Sequence, residues 1–430
     1  MLKSYRSSFF VIILALSIPT GIYAQSSSST STPYSRYGFG TLAGTSFGWG
    51  DAMGGIGIGL RNGFHINTAN PASYTSIDSL TFLMEFGLDA RFTYSKTTES
   101  NNFRNDLNFN HLTFGIPFTK WWAGSFGLLP YSSKGYDIIS SQGLLELKST
   151  SNFSGTGTLT KVYVGNAFRL GKNLSLGINT WFMFGKMNDN VYFYFPYDAN
   201  TYDYLKDQSL IVNGFGITTG LQYQITTKNS NSLTIGATFE PKMNVHSKYT
   251  IHEERALFRG SSTASAIVDT IQHVVSKENG LQVPISYGAG FSYTIRNKIT
   301  FGADAFFQQW QDLNFMGKPV DYLTNSSKYS AGFEYTPNQY SIKSYWERVS
   351  YRGGGFIENS YLTLNGVQIK GYAATFGFGF PLGRSRSALN VAFELGRLGT
   401  TDFELIQETY GKITIHLMLH DRWFFKTKFD

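Results

Sequence analysis

The feature that most constrains this chain is an alternation of apolar and polar residues that begins at position 80. In LTFLMEFGLDARFTY, every even position from 82 to 94 is apolar, whereas the odd positions include Glu85, Asp89 and Arg91. A period of two places successive side chains on opposite faces of a β-strand. The run is far longer than an ordinary strand of about five or six residues. The segment therefore predicts a long strand with one apolar face.

The same alternation recurs along the rest of the chain. Clear examples lie near residues 112–118, 174–184, 215–225, 233–239, 285–293, 299–307, 329–335, 376–380, 389–395 and 413–419, with less regular ones near 122–131, 162–170 and 345–351. Bacterial outer-membrane barrels have an even number of antiparallel strands and expose apolar residues to lipid at every second position. The fold class that we expect is an all-β membrane protein, an antiparallel transmembrane barrel of about 14 strands.

Composition supports a lipid-exposed surface and excludes several other classes. Only 15% of the 430 residues are charged and 17% are aromatic, whereas soluble domains average about 25% charged residues. Beyond residue 24 no segment approaches the roughly 18 apolar residues of a spanning helix. The absence of Cys excludes disulfides, thiolate metal sites and a thiol nucleophile. The net charge of +7 comes without a Lys/Arg run, so we expect no nucleic-acid partner.

The N-terminus has the organisation of a secretory signal peptide. Lys3 and Arg6 precede a short apolar stretch at Phe9–Ile18, and small residues end at Ala24. This pattern predicts cleavage ahead of Gln25 and export from the cytoplasm. With the barrel prediction, it indicates the outer membrane of a Gram-negative bacterium.

Three further regions are expected after the signal peptide of residues 1–24. Residues 25–32 form a Ser/Thr tract, which predicts a flexible start. Residues 33–79 are rich in Gly and lack a period of two, so we expect a compact hatch segment that packs in the barrel lumen. Residues 80–430 then form the barrel.

No motif in the chain points to catalysis, a cofactor or a metal. The run from Gly54 to Gly59 lacks the spacing of a dinucleotide-binding loop. His416 and His420 would lie roughly 13 Å apart on a strand, too far to share an ion. The seven His are scattered, and no spacing singles out a Ser-His-Asp set or a carboxylate pair. We therefore expect no enzyme activity and no cofactor.

Several charged residues are predicted to face the lumen. They share the polar face of their strands: Glu85, Asp89, Arg91, Glu240, Asp304, Glu334 and Glu394. Charges that face away from lipid must be paired or hydrated. Two interpretations remain open, namely a charged lumen that binds a solute and a network of ion pairs that anchors the hatch.

Connections and tryptophans give two further expectations. Short and long connections alternate, with a tight turn near Asn338 and a longer loop near Gly366. Tryptophans at predicted strand ends suggest an aromatic girdle at the membrane interfaces. They are Trp121, Trp122, Trp310, Trp346 and Trp423.

The chain also resembles a known family, on motifs that occur in a fixed order. They are RYGFG from Arg36, Met53-Gly54-Gly55, Asn70-Pro71-Ala72, GLLPYSSKGYD from Gly127, VPISYGAGFSY from Val283 and Gln308-Gln309-Trp310. In these motifs it resembles the FadL/TodX family of outer-membrane transporters for hydrophobic compounds. The C-terminal stretches resemble the Bacteroidetes-type branch of that family.

The resemblance implies a barrel of fourteen strands whose hatch blocks the lumen. Its hatch signature would comprise Gly54, Gly55, Asn70, Pro71 and Ala72. It further implies passive uptake of fatty-acid-like or aromatic molecules, which leave sideways into the membrane beside a kinked third strand.

For this lateral gap, Gly124, Gly127 and Pro130 are the candidates, since Pro removes a ladder donor and marks a bulge or a strand end. Expected partners are outer-membrane lipid, lipopolysaccharide and a hydrophobic ligand. The alternative implied by the same family is a non-transporting subunit or shuttle of a larger outer-membrane complex, in barrel assembly or protein secretion. Its partners would be other outer-membrane proteins.

Overall fold

The computed structural model describes residues 30–142, 149–195, 201–227, 230–257, 266–311, 313–315, 318–383 and 386–422. The signal peptide and Trp423 lie outside these ranges. Within them, no helix has the length and apolar character needed to cross a bilayer.

Fourteen long strands, named β1 to β14, form the wall within the described ranges. They are β1 Thr81–Lys96, β2 Asn101–Pro117, β3 Trp122–Gln142, β4 Ser149–Leu170, β5 Leu174–Tyr194, β6 Asp203–Thr226, β7 (Ser232–Glu240 and Met243–Leu257), β8 (Ala266–Val283 and Ile285–Ile295), β9 Ile299–Gln309, β10 Ser326–Tyr335, β11 Ser350–Leu364, β12 Val367–Pro381, β13 Ala388–Leu398 and β14 Gln407–Arg422. Each strand pairs antiparallel with its neighbours in the chain, and β14 pairs with β1 along its whole length. The ring is closed, which confirms the predicted barrel.

The alternation in the sequence becomes the two faces of this wall. Phe215 and Ile217 on β6 are exposed at 78% and 38%, whereas Gln222 on the same strand is fully buried. The polar side chains therefore point inward and the apolar ones outward. Because exposed aromatic and aliphatic side chains surround the wall, its natural solvent is lipid.

Residues 30–79 lie inside the ring. They form three short 3₁₀ helices, Pro33–Arg36, Gly48–Met53 and Pro71–Ser76, and a two-residue strand, Thr41–Leu42. Helix Pro71–Ser76 contacts β2 to β6, and helix Gly48–Met53 contacts β10 to β14 and β1. Only a segment within the barrel can touch both halves of the wall in this way. We call residues 30–79 the N-terminal segment.

Two expected connections differ from the structure. The loop predicted near Gly366 is a two-residue turn, Asn365–Gly366, in which both residues have positive φ (50° and 77°). Asn-Gly is the preferred pair for such a hairpin turn, because its twist matches that of the flanking strands. The tight turn predicted near Asn338 is instead a connection of residues 336–349, since the next strand begins only at Ser350.

The predicted girdle is wrong for one of its tryptophans. Trp121 and Trp346 are exposed at 55% and 64%, as an interfacial position requires, but Trp310 is fully buried. Its ring lies 4.6 Å from that of Tyr361 and 5.5 Å from that of Phe39. Trp310 therefore belongs to the packing between the wall and the N-terminal segment, not to the membrane interface.

Candidate functional site

The seam between β2 and β3 is interrupted. These strands pair only from Pro117–Ala123 to Leu112–Leu128. Beyond the last pair, β2 continues to pair with β1, and β3 continues to pair with β4. Beyond the Leu112–Leu128 pair, β2 and β3 therefore form no ladder with each other.

A bulge in β3 lies next to this point. The register between β3 and β4 shifts between Pro130 and Ser132, so Tyr131 is an extra residue in the strand. Bulges bend a strand, and proline at such a place avoids the loss of a ladder donor. Of the three residues predicted for a lateral gap, Pro130 lies beside the separation, whereas Gly124 and Gly127 lie in the paired part of the seam. Their role in a gap stays a prediction.

The N-terminal segment covers the edge that β3 exposes. Thr41 and Leu42 pair with Ser133 and Ser132, and the backbone N–H of the next residue donates to the Tyr131 carbonyl at 2.9 Å. The segment thus takes the place that β2 leaves. It closes the opening from inside.

Arg104 bridges β2 and β3 at the far end of the opening. Arg104 Nη2 donates to the Asp137 carbonyl oxygen at 3.1 Å and lies 3.7 Å from its carboxylate. The opening is therefore bounded by the Leu112–Leu128 pair at one end and by this contact at the other.

A cavity of about 150 Å³ lies behind the bulge. Leu42, Leu129, Pro130 and Tyr131 line the side next to the opening, and Trp181 on β5 also lines the cavity. Most of its surface is apolar. Leu42 connects the lining of this cavity with the short pairing on the edge of β3.

One buried ion pair provides the polar end of the cavity. Lys161 Nζ lies 3.3 Å from Glu240 Oε1, and Thr218 donates to the other carboxylate oxygen at 2.9 Å. The ammonium also lies over the rings of Trp181 and Tyr131, at 3.9 and 4.5 Å from their centroids. Because the charge is compensated on several sides, the cavity suits a flat apolar molecule better than a free ion.

A second cavity, of about 240 Å³, lies on the other side of residues 42–45. It is lined by charges of both signs, among them Arg91, Lys328, Glu394 and Lys412. The interior thus has an apolar half beside the seam and a charged half beside β1, β13 and β14.

Two of the predicted inward charges hold the N-terminal segment. Glu85 Oε1 lies 3.0 Å from His65 Nδ1. Asp304 Oδ2 accepts the backbone N–H groups of Gly57 and Ile58 at 2.6 and 2.8 Å. Both carboxylates therefore bind backbone or side chains of the segment.

The other five inward charges have partners on the wall itself. The contacts are Arg91–Glu408 at 3.7 Å, Asp89–Asn110 at 3.3 Å, Lys161–Glu240 at 3.3 Å, Glu334–Arg352 at 2.6 Å and Glu394–Lys412 at 2.7 Å. Glu85 and Asp304 therefore contact the N-terminal segment, whereas the other five charges pair within the wall. A role in solute passage stays a prediction.

The predicted hatch residues make specific contacts with the wall. Asn70 Nδ2 donates to the carbonyls of Ile58 and Leu221 at 2.9 and 3.1 Å, and its Oδ1 accepts the Ala72 N–H. Asn70 is thus the N-cap of helix Pro71–Ser76 and ties that helix to β6.

Gly54 and Gly55 end the helix Gly48–Met53. Both have positive φ, 74° and 75°, which favours glycine. Gly54 N–H donates to Thr375 Oγ1 on β12 at 2.8 Å. The segment is therefore attached to the wall at two separate places, to β6 by Asn70 and to β12 by Gly54.

Of the residues that line the apolar cavity, sequence reasoning named Pro130 and Glu240 but missed Leu42, Tyr131 and Trp181. Trp181 offers a signal, because it falls on the inward face of β5, where most positions carry small or polar residues. Tyr131 directly follows the proline that marks the bulge. Leu42 gives no signal, since its pairing with β3 depends on a contact between residues about ninety positions apart in the chain.

A family model and several solved structures match this chain. The family model named BamG matches residues 1–430. The chain belongs to the BamG family. A search of curated proteins found no match.

Solved structures with the same fold include two toluene transporters and a FadL homologue. The Pseudomonas putida toluene transporter TodX has a TM-score of 0.58 at 16% identity, covering 89% of this chain and 98% of that one. The Ralstonia pickettii toluene transporter TbuX has 0.56 at 15%, covering 89% and 98%. A Pseudomonas aeruginosa FadL homologue has 0.55 at 12%, covering 89% and 98%. The resemblance inferred from the sequence is confirmed at the level of the fold.

Proposed function

We propose that this BamG-family protein is an outer-membrane channel for the passive uptake of small hydrophobic molecules, which leave sideways between β2 and β3. The observation that carries the proposal is the apolar cavity directly behind the interrupted seam. Leu42, Pro130 and Tyr131 line this cavity, and Leu42 also belongs to the short pairing with β3. Release into lipid requires no passage through the polar end of the barrel.

The size of the cavity suggests the class of solute. An apolar protein cavity of about 150 Å³ binds benzene, and the cavity here has about the same volume. The aromatic rings of Trp181 and Tyr131 offer surfaces for stacking. TodX and TbuX, which share the fold, are toluene transporters. Monoaromatic hydrocarbons are therefore the first substrates to test.

The gate in this proposal is the two-residue strand Thr41–Leu42. Short pairing of this kind holds only a few hydrogen bonds, each worth about 0.5–1.5 kcal/mol net. Its release would connect the cavity to the opening while Asn70 and Gly54 keep the rest of the segment in place. In this proposal only Thr41–Leu42 moves, and the rest of the hatch stays in place.

A reversible crosslink tests the gate. Thr41 and Ser133 are directly opposite, and opposite residues of antiparallel strands have Cα separations of about 4.5–5.5 Å, within the range of a disulfide. The chain has no Cys, so Thr41→Cys with Ser133→Cys forms one defined bond. We expect oxidation to abolish uptake of labelled toluene by cells that express the protein, and reductant to restore it.

The matched control is Val164→Cys with Thr180→Cys, an opposite pair in the continuous ladder of β4 and β5. Its crosslink should leave uptake unchanged. Uptake that persists in the oxidised Thr41–Ser133 variant would disprove the gate. A wild-type protein that takes up no toluene and holds no hydrophobic ligand would disprove transport.

A subunit of a larger outer-membrane assembly is the second candidate, and one feature of the outer wall favours it. Ala303, Ala331, Gly355 and Ala374 are direct neighbours on β9 to β12 and form a lane of small residues. Small residues allow another membrane protein to approach closely. Stoichiometric co-purification with a second barrel in mild detergent, lost in Ala331→Trp, would support this role.

A further inference from the structure

Two histidines face each other on the part of the barrel that extends beyond the membrane. His252 on β7 and His273 on β8 are directly opposite in the ladder. Their Nδ1 atoms are 3.2 Å apart, and the ring planes are inclined by 77°. Neither the barrel nor the cavity behind the seam uses this pair.

The position of the pair is outside the lipid. On β6 the inward residues Leu210 and Val212 are buried, whereas Ile211 is 39% exposed and faces outward. Lys248 is directly opposite Ile211, so a charged residue lies on the outer face of β7 at this level. His252 lies four residues further along β7, which is about 13 Å at the rise of a strand.

A carboxylate fixes the orientation of one ring. His252 Nε2 lies 2.5 Å from Glu254 Oε1. A carboxylate accepts, so Nε2 carries the proton and Nδ1 of the neutral ring presents its lone pair to His273. Histidines that bind metals almost always donate their other N–H to such a group.

The spacing of the two nitrogens matches a chelate. Zn–N bonds of about 2.0–2.1 Å at a tetrahedral angle separate two nitrogens by about 3.3 Å. The observed 3.2 Å is close to this value. Asp207, which is directly opposite His252 on β6, adds a negative charge on the side away from His273. The environment therefore favours a cation.

We propose that His252 and His273 form a binding site for a divalent transition-metal ion, of which Zn²⁺ is the example to test. Within the described part of the chain no group of three or more His, Asp or Glu is placed to hold a metal. The protein thus supplies two ligands, and water or a side chain of another molecule completes the coordination. The sequence had predicted no metal site, because only His416 and His420 have a spacing that suggested one.

The test is zinc binding to the purified full chain in detergent, with an affinity tag that contains no His. We expect one Zn²⁺ per chain at pH 7.5, and loss of that site in His273→Ala and in His252→Ala. Glu254→Gln, which only loosens the ring, should weaken binding about 10- to 100-fold.

His246→Ala is the matched control, because His246 is an exposed histidine on the same strand that is opposite Asn213. It should bind zinc like the wild type. The shift of folded barrels on unheated gels verifies folding of each variant. Equal zinc binding by the wild type, His252→Ala and His273→Ala would overturn the proposal, as would no binding by the wild type. In that case the pair is only a hydrogen bond between two rings.

Discussion

The close contact between the wall and the N-terminal segment can be tested at Gly177 on β5. A Cβ atom at this position would lie 2.3 Å from the carbonyl carbon of Pro71 and 2.4 Å from the nitrogen of Ala72. Real Cβ atoms do not approach backbone this closely. The ladders to Ala167 and Gly220 hold β5 on both sides, so in Gly177→Ala the helix Pro71–Ser76 has to move.

The expected cost follows from overpacking. Forcing one methyl group into a filled site costs about 1–3 kcal/mol. Since the strain is relieved when the helix leaves the wall, its opening equilibrium should rise about 5- to 150-fold. Hydrogen exchange followed by mass spectrometry reports this opening. The Ser73 and Ile77 amides, which donate within the helix at 3.0 and 3.1 Å, should exchange faster by that factor.

Gly411→Ala provides the control. Gly411 is also a wall glycine, but the nearest atom to an added Cβ is Leu395 Cδ2 at 3.5 Å, an ordinary contact. Exchange should not change in this variant. If Gly177→Ala leaves the Ser73 and Ile77 amides within twofold of the wild type, the helix does not rest on the wall and the account of the N-terminal segment is wrong.

Two other predictions concern single side chains. Asp304→Ala leaves the N–H groups of Gly57 and Ile58 without their acceptor, so we expect a loss of about 2–5 kcal/mol, measured by denaturant unfolding in vesicles; an unchanged midpoint would contradict this. Brominated lipid should quench the fluorescence of a variant that retains only the exposed Trp346, but not that of one that retains only the buried Trp310. Equal quenching of the two variants would show that Trp310 lies at the membrane interface.

The sequence was sufficient to predict the barrel because a period of two is a local property. The alternation of residues identifies the two faces of each strand without knowledge of the neighbouring strands. The glycines on the inward face already indicated a crowded lumen. The ends of the strands were harder to predict from the sequence. β3 was expected to end near Tyr131 but runs to Gln142, because its outer half leaves the lipid and loses the apolar face on which the prediction depended. The Asn365–Gly366 turn, by contrast, has a clear sequence signal, because Asn-Gly is the preferred pair for a two-residue hairpin turn. The expected longer loop did not take this signal into account.

The site was less predictable because its contacts join distant parts of the chain. Parity placed Asp304 on the inward face, but its partners Gly57 and Ile58 lie about 250 residues earlier. At the seam, Pro130 indicated an irregularity in β3. Thr41–Leu42 pairs with this part of β3, but no pattern in its sequence predicts the pairing.

A wall defect and the strand that covers it must therefore be considered together. The edge that β3 loses to the bulge would expose unpaired backbone to lipid, where such groups are not tolerated. Pairing with Thr41–Leu42 satisfies part of this edge from inside. Leu42 of this pairing also lines the apolar cavity. The same requirement for paired backbone thus accounts for a short ladder at the position of the proposed gate.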